Sequence, residues 1–172
     1  MAKQHIVLCG DSIIDNGSYV NKGELDVAGQ VQEELPDSKV TLLAVDGNVT
    51  ESIEDQMNNL PKDATHIFIS IGGNDGYNRI DVFDESANTI GDAMGPLYEL
   101  RNEFEIDYNK MLKNVLSYGV PTTLCSIYYP RYEESMNQAL RKYLGGKTNT
   151  ASIQKMAMVG LSMYNDIITK EA

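Results

Sequence analysis

Short apolar runs alternate with amphipathic stretches along most of this chain. Four runs predict β-strands, and in chain order they are His5–Cys9, Val40–Val45, Thr65–Ile71 and Pro121–Tyr128. Three of them are dense in Ile, Val, Leu and Phe without regular polar alternation, which is typical of strands buried on both faces of a parallel sheet. The pattern therefore predicts a sheet that lies inside the molecule.

Apolar residues at helical spacing predict a helix after each of these strands. The stripes, in chain order, are Leu25, Ala28, Val31 and Leu35; Ile53, Met57 and Leu60; Leu97, Leu100, Phe104, Tyr108, Met111 and Val115; and Ile153, Met156, Ala157, Gly160, Tyr164, Ile167 and Ile168. Thr50 is the expected N-cap of the second helix, and Pro61 is expected to end it. The β-α-β-α-β-α-β-α order predicts the α/β class, with helices on both faces of a parallel sheet.

Length and charge narrow the function classes. The 172 residues suggest one domain, and the net charge of −11 disfavours binding to nucleic acid or to an anionic membrane surface. The first apolar run is too short for a signal peptide, and no stretch is long enough to span a bilayer. Cys9 and Cys125 each fall within a predicted strand, so two reduced, buried cysteines in a cytoplasmic protein are expected.

Candidate chemistry follows three of the strands. Gly10-Asp11-Ser12 comes after the first, Gly47 after the second, and Gly72-Gly73-Asn74-Asp75 after the third. The carboxyl ends of parallel strands meet at one edge of the sheet, which is where such folds bind ligands. A serine there can serve as a nucleophile, and glycine N–H groups and an asparagine amide can stabilise an oxyanion. Each motif alone is also compatible with an ordinary turn.

Taken together, these motifs resemble the first three sequence blocks of the GDSL/SGNH hydrolase superfamily, over roughly residues 5–130. The resemblance implies a flavodoxin-like three-layer α/β/α sandwich, whose parallel strands have the order 2-1-3-4-5. It also implies hydrolysis of carboxylic esters of lipids, acylated sugars or small acyl compounds, without a metal or other cofactor. Here the expected order is 2-1-3-4, because no fifth strand follows the fourth.

The same resemblance assigns roles to individual residues. Ser12 would be the nucleophile, and its own N–H, the Gly47 N–H and the Asn74 amide would form the oxyanion hole. Asp11, Gly73 and Tyr129 are the expected substrate-binding residues. The segment Tyr128-Tyr129-Pro130-Arg131-Tyr132 follows the fourth strand and could line a substrate pocket, with ordinary loop packing as the alternative.

The family's last block, Asp-x-x-His, has no counterpart in this sequence. Its two histidines, His5 and His66, each open a predicted strand. His66 would therefore lie about 20–25 Å from the catalytic edge of the sheet, and His5 is similarly misplaced. A catalytic base must lie within about 3 Å of the proton it accepts. We therefore expect little esterase activity from the chain as written, and we favour truncation of a longer hydrolase over natural loss of the block.

Two structural expectations follow from the order 2-1-3-4. The fourth strand would be an open apolar edge, so we expect self-association through it, or cover from the last helix. Cys9 and Cys125 would lie about 9–10 Å apart, too far for a disulfide.

Other functions remain open at this point. A non-catalytic acyl- or ligand-binding module, or a receiver-like or flavin-binding module, would share the fold. Gly145-Gly146-Lys147-Thr148 resembles the end of a phosphate-binding loop but follows a helical pattern, so a helix-ending loop is expected. Asp81, Asp84 and Glu85 could bind a cation, although a solvated loop is the simpler interpretation.

Overall fold

The computed structural model describes residues 4–129 and 150–172. The strands are β1 (His5–Gly10), β2 (Lys39–Leu42), β3 (His66–Ser70) and β4 (Thr122–Leu124). They form a parallel sheet in the order β2-β1-β3-β4. This confirms the predicted α/β class and strand order, and no further strand lies in the two described segments.

The helices occupy the predicted intervals. They are α1 (Val27–Glu34), α2 (Ile53–Met57), α3 (Gly73–Tyr77), α4 (Ile90–Ser117) and α5 (Thr150–Glu171), with 3₁₀ turns at Thr50–Ser52 and Ile80–Asp84. The side chains of α5 are described from residue 154 onwards. None of the described helices is long and apolar enough to cross a membrane.

The core lies mainly between the sheet and the helices on one of its faces. Val7, Cys9, Ile67 and Ile69 project from the central strands into this layer. They pack against α2, α4 and α5 through Ile53, Met57, Leu100, Phe104, Tyr108, Met111, Leu112, Val115, Tyr164, Ile167 and Ile168. On the other face, Ile6, Leu8, Ile14 and Ala44 pack against α1. The sheet is therefore the middle layer of a sandwich, as the strand pattern predicted.

Several boundaries differ from the sequence predictions. β2 ends at Leu42 instead of Val45, and β4 is three residues long, so Cys125 lies just past the strand and is half-buried. Both cysteines are free thiols, as expected. The long helix begins at Ile90 and continues through Pro96, although the predicted stripe started at Leu97.

Thr50 is not the N-cap of the second helix. It is the first residue of the 3₁₀ turn that precedes α2, and it is fully buried. The residue in the N-cap position of this turn is Val49, whose backbone N–H is bonded by the Ser52 hydroxyl at 3.2 Å. The Thr50 N–H instead donates to the carboxylate of Asp75, because the third strand's loop lies directly against this turn.

Candidate active site

β1 ends at a glycine, and any larger residue at this position would force the neighbouring backbone of β3 to shift. Gly10 has φ +137°, and a Cβ built on it would lie 2.0 Å from the carbonyl oxygen of Ser70. The next residue, Asp11, donates its N–H to that same oxygen at 3.2 Å. The close approach of β1 and β3 therefore fixes where the chain leaves the sheet, immediately before Ser12.

Asp11 holds the turn that carries Ser12. Its carboxylate accepts the Ile13 N–H at 3.0 Å, and its carbonyl accepts the N–H groups of Ile14 and Asp15 at 3.0 and 2.9 Å. Asp11 is buried, and the loss of solvation raises the pKa of its carboxyl group. Ser12 is half-buried, and its hydroxyl has no hydrogen-bond partner in the described parts of the chain. The serine is thus presented by a fixed turn with its oxygen uncommitted.

The loop after β2 reaches the site through Asn48. Gly47 has φ +81°, is exposed and lies in a turn where a Cβ would meet nothing within 4 Å. It does not line the cavity described below. Its neighbour Asn48 accepts a hydrogen bond from the side-chain amide of Asn74 at 2.9 Å, through the Asn48 carbonyl oxygen. The structure therefore brings the second and third predicted motifs together, with Asn48 as the point of contact.

The third motif opens α3. Gly72 has φ +115°, and a Cβ there would lie 3.0 Å from both Ile127 and Phe104, so a glycine is needed for packing as well as for conformation. Gly73 and Asn74 line the cavity together with Ser12. One N–H of the Asn74 amide is bonded to Asn48, which leaves the second N–H for a ligand.

Two carboxylates near the site, those of Asp75 and Asp15, serve as structural acceptors. Asp75 accepts the Thr50 N–H with both carboxylate oxygens at 3.1 Å, and burial raises its pKa. Asp15 accepts the Asp46 N–H at 2.9 Å. Both bonds join loops from different strands, so these carboxylates fix the geometry of the sheet edge.

Gln56 was not singled out from the sequence. It lies on α2, is 4% exposed, and its amide bonds both the N–H and the carbonyl of Gly10. The same amide also donates to the side chain of Asn48. The sequence did contain a signal for this residue. Gln56 is a polar residue three positions after Ile53 and next to Met57, so it falls on the apolar, buried face of a short amphipathic helix.

A cavity of about 410 Å³ opens beside Ser12 and Asn74. Its far walls are mainly apolar. They are formed by Phe83 of the 3₁₀ turn Ile80–Asp84, Leu100 of α4, Ile127 after β4, and Gly160 of α5. Tyr164 of α5 also lines it and stacks on Phe104, with ring centroids 3.9 Å apart. Its volume falls within the range of small-molecule sites.

The two tyrosines that follow β4, Tyr128 and Tyr129, differ in their position relative to the cavity. Tyr128 lines the cavity, whereas Tyr129 does not. The Tyr129 hydroxyl lies 3.1 Å from the Ser162 hydroxyl, and its ring is half-exposed. A substrate contact from Tyr129 therefore stays a prediction. The remaining predicted pocket residues, Pro130, Arg131 and Tyr132, lie outside the described residues, as does the segment Gly145-Gly146-Lys147-Thr148.

Both histidines lie at the amino ends of their strands, as expected. His5 is the first residue of β1, with Nε2 2.8 Å from the Thr41 hydroxyl and Nδ1 2.9 Å from an Asp63 oxygen. The contact with His5 lowers the pKa of Asp63. His66 is the first residue of β3. Because Ser12 follows the opposite end of β1, neither imidazole is placed to accept its proton.

The acidic residues considered for a cation do not form a site. Asp81 and Asp84 fall in the 3₁₀ turn, and Glu85 is its C-cap. No group of three or more His, Cys, Asp or Glu side chains is arranged to hold a metal ion within residues 4–129 and 150–172.

Known structures share this fold at low sequence identity. An extracellular lipase from Streptomyces rimosus superposes with a TM-score of 0.62 and 12% identity, covering 97% of this chain and 75% of that one. Phospholipase A1 from Streptomyces albidoflavus NA297 gives 0.60 and 18%, covering 98% and 75%. AlinE4, an SGNH-hydrolase family esterase, gives 0.52 and 18%, covering 86% and 73%.

Sequence comparison gives the family. No curated protein sequence matches this chain. The model of the GDSL-like lipase/acylhydrolase family matches residues 8–147, which include the serine turn, the Gly47 loop and the start of α3. The predicted resemblance is therefore confirmed, and the chain belongs to the GDSL-like lipase/acylhydrolase family.

Proposed function

We propose that this chain is a serine ester hydrolase in which the Ser12 hydroxyl forms an acyl-enzyme. The observation that carries the proposal is that Ser12 and Asn74 line the same cavity, and that within residues 4–129 and 150–172 neither the serine hydroxyl nor the second amide N–H of Asn74 has a hydrogen-bond partner. Such an amide donor stabilises the oxyanion that develops when a serine attacks a carbonyl. By the family resemblance, the backbone N–H groups of Ser12 and Gly47 would complete the proposed oxyanion hole, although Gly47 does not line the cavity in this structure.

The reaction proceeds in two steps. Ser12 Oγ bonds to the ester carbonyl carbon while its proton passes to solvent or to an added base such as imidazole, and the alcohol leaves with a proton from solvent as the tetrahedral intermediate collapses. Water then attacks the acyl-enzyme, and the acid is released as Ser12 recovers its proton. The mainly apolar far walls of the cavity suit an apolar acyl group, and Asp11 and Gly73 line the cavity beside Ser12 as proposed substrate contacts. A substrate contact from Tyr129, which does not line the cavity, is also proposed.

We further propose that turnover by this sequence is slow. His5 and His66 are its two histidines, and both lie at the far end of the strands from Ser12. Loss of the base in a serine triad lowers the rate on the order of 10⁴–10⁶-fold. The distant histidines also favour a second candidate function, which is binding of acyl ligands in the same cavity without hydrolysis.

Added imidazole tests the nucleophile and the missing base together. We expect hydrolysis of p-nitrophenyl butyrate to be slow, and imidazole to raise it beyond its effect on the uncatalysed reaction. Ser12→Ala should abolish the added rate. Ser18→Ala, which changes an exposed serine in the same loop, should leave it unchanged.

Fast turnover that survives Ser12→Ala would contradict the assigned nucleophile. Saturable binding of butyrate or hexanoate, with no Ser12-dependent hydrolysis at any imidazole concentration, would identify the binding function instead.

We also propose that the stretch 1–172 acts as one domain in the cytoplasm. A single core cluster extends from Val7 of β1 to Ile168 of α5, which supports one folding unit. Free thiols at Cys9 and Cys125 suit a reducing compartment.

A further inference from the structure

The side chain of Gln56 bonds the end of β1 and the loop after β2, which carry two of the three motifs of the candidate site. The Gln56 amide oxygen accepts the Gly10 N–H at 2.9 Å, and its nitrogen donates to the Gly10 carbonyl at 2.8 Å. The nitrogen also donates to Asn48 Oδ1 at 2.8 Å. A primary amide offers two N–H donors and one acceptor oxygen, so all of these groups are used.

The link continues from Asn48 to Asn74. The side chain of Asn48 accepts from Gln56, while its backbone carbonyl accepts from the Asn74 amide at 2.9 Å. The bond to Asn48 determines which way the Asn74 amide faces, and therefore where its second N–H points. A continuous path of hydrogen bonds thus runs from the residue before Asp11-Ser12 to the proposed oxyanion donor.

We propose that Gln56 is a positioning residue that fixes the Ser12 turn and the Asn74 amide in one geometry through Gly10 and Asn48. This inference rests on the proposed function, since it assigns Gln56 a role at that same site. Gln56 does not line the cavity, so it acts through its neighbours and not on the substrate.

Packing alone does not account for this residue. Ile53 and Met57 on the same short helix are apolar and almost fully buried, whereas Gln56 is a polar amide that is nearly as buried. Burying an amide is unfavourable unless its hydrogen bonds are made. Here all of the Gln56 bonds go to Gly10 and Asn48, which belong to the edge of the sheet where the candidate site lies. A misplacement of about 1 Å in such a site can cost about a hundredfold in rate.

Butylboronic acid is a suitable probe because it needs no turnover. Ser12 Oγ would bond to boron, the hydroxyl proton would pass to solvent, and boron would become tetrahedral and anionic without any change of oxidation state. One boron oxygen would then occupy the oxyanion position, so affinity reports the geometry of Ser12 and Asn74 together. Binding is measured by ¹¹B NMR on the full chain.

The chain offers a closely matched control variant. Thr65 bonds the backbone of His5 as Gln56 bonds that of Gly10, accepting the N–H at 2.9 Å and donating to the carbonyl at 3.2 Å. It does so at the opposite end of β1. Gln56→Met should weaken boronate binding about tenfold or more, whereas Thr65→Val should change it less than about twofold, with both variants folded by circular dichroism.

Gln56→Glu adds a pH signature. A protonated carboxyl group can still accept from the Gly10 N–H and donate one bond, but a carboxylate would face the Gly10 carbonyl and Asn48 Oδ1 without a donor. The affinity of this variant relative to the parent chain should be nearly normal at pH 5 and fall as pH rises. A purely steric role for Gln56 would give a ratio that is independent of pH.

Hydrogen exchange separates this inference from the proposed function. Gln56→Met should speed exchange in peptides covering residues 10–15 and 45–50, and Thr65→Val should not. Unchanged exchange there, or unchanged boronate affinity, would overturn the positioning role. Equal boronate binding by Ser12→Ala, or none by the parent chain, would overturn the proposed function and with it the purpose assigned to Gln56.

Discussion

At Gly10, the carbonyl oxygen of Ser70 occupies the space that a side chain would need. Gly10→Ala would combine this overlap with a backbone φ of +137° that other residues rarely adopt. Together these effects should destabilise the fold by about 3–5 kcal/mol. Urea unfolding followed by circular dichroism measures the loss.

Gly47 provides the comparison, since it also has a positive φ but its missing side chain would point into open space. Gly47→Ala should therefore cost only the backbone strain, about 1 kcal/mol. Equal losses for the two variants would show that the contact with Ser70 does not control the end of β1.

The residues proposed to carry chemistry could be found from the sequence more readily than the residues that hold them in place. Ser12 and Asn74 follow apolar strands, and strand ends are visible in the hydrophobic pattern. Gln56 bonds the distant backbone of Gly10, and Asn48 bonds the distant side-chain amides of Gln56 and Asn74, and no local pattern reports such partners. Thr50 was misassigned for the same reason, because its N–H bonds to Asp75, 25 residues away.

Among the elements, α5 is hydrogen-bonded through Asn165 to the segment that follows β4. Asn165 accepts the Ile127 N–H at 2.7 Å and donates to the Ile127 carbonyl at 2.8 Å, much as a neighbouring strand would. Asn165→Ala should destabilise the protein by about 1–3 kcal/mol, because two backbone groups beside the cavity lose their partner.

Asn109→Ala is the control for this change, since Asn109 is also a half-buried helical asparagine but bonds only to Glu105 within its own helix. Its loss should cost about 0.5 kcal/mol in the same urea titration. Matching values for both variants would mean that α5 is held by its apolar face alone.

The start of α4 could not be predicted from the spacing of apolar residues. The first two turns of α4 place Ile90, Met94 and Tyr98 in solvent, so no buried stripe marks them. Pro96 lies inside the helix, although proline usually favours a break. A Thr89–Asp92 capping box starts the helix, and this signal was present in the sequence.

For the whole molecule, the open edge of β4 gives a prediction about assembly. Asn165 bonds the backbone at Ile127, but within residues 4–129 and 150–172 the strand Thr122–Leu124 pairs with β3 alone. We expect concentration-dependent association through this edge, measured by sedimentation velocity. Thr123→Lys should reduce it, because a lysine on an edge strand opposes pairing. A parent chain that sediments as a monomer at every concentration would contradict the expectation.

The wall that α5 contributes to the cavity has a thermodynamic consequence. A ligand that fills the space between Ser12 and Gly160 contacts the native arrangement of α5 and has no equivalent site in the unfolded chain. Its binding must therefore raise the melting temperature, by an amount set by its concentration relative to its dissociation constant. Thermal-shift screening of ester and fatty-acid collections would in this way rank ligands for the cavity without requiring turnover.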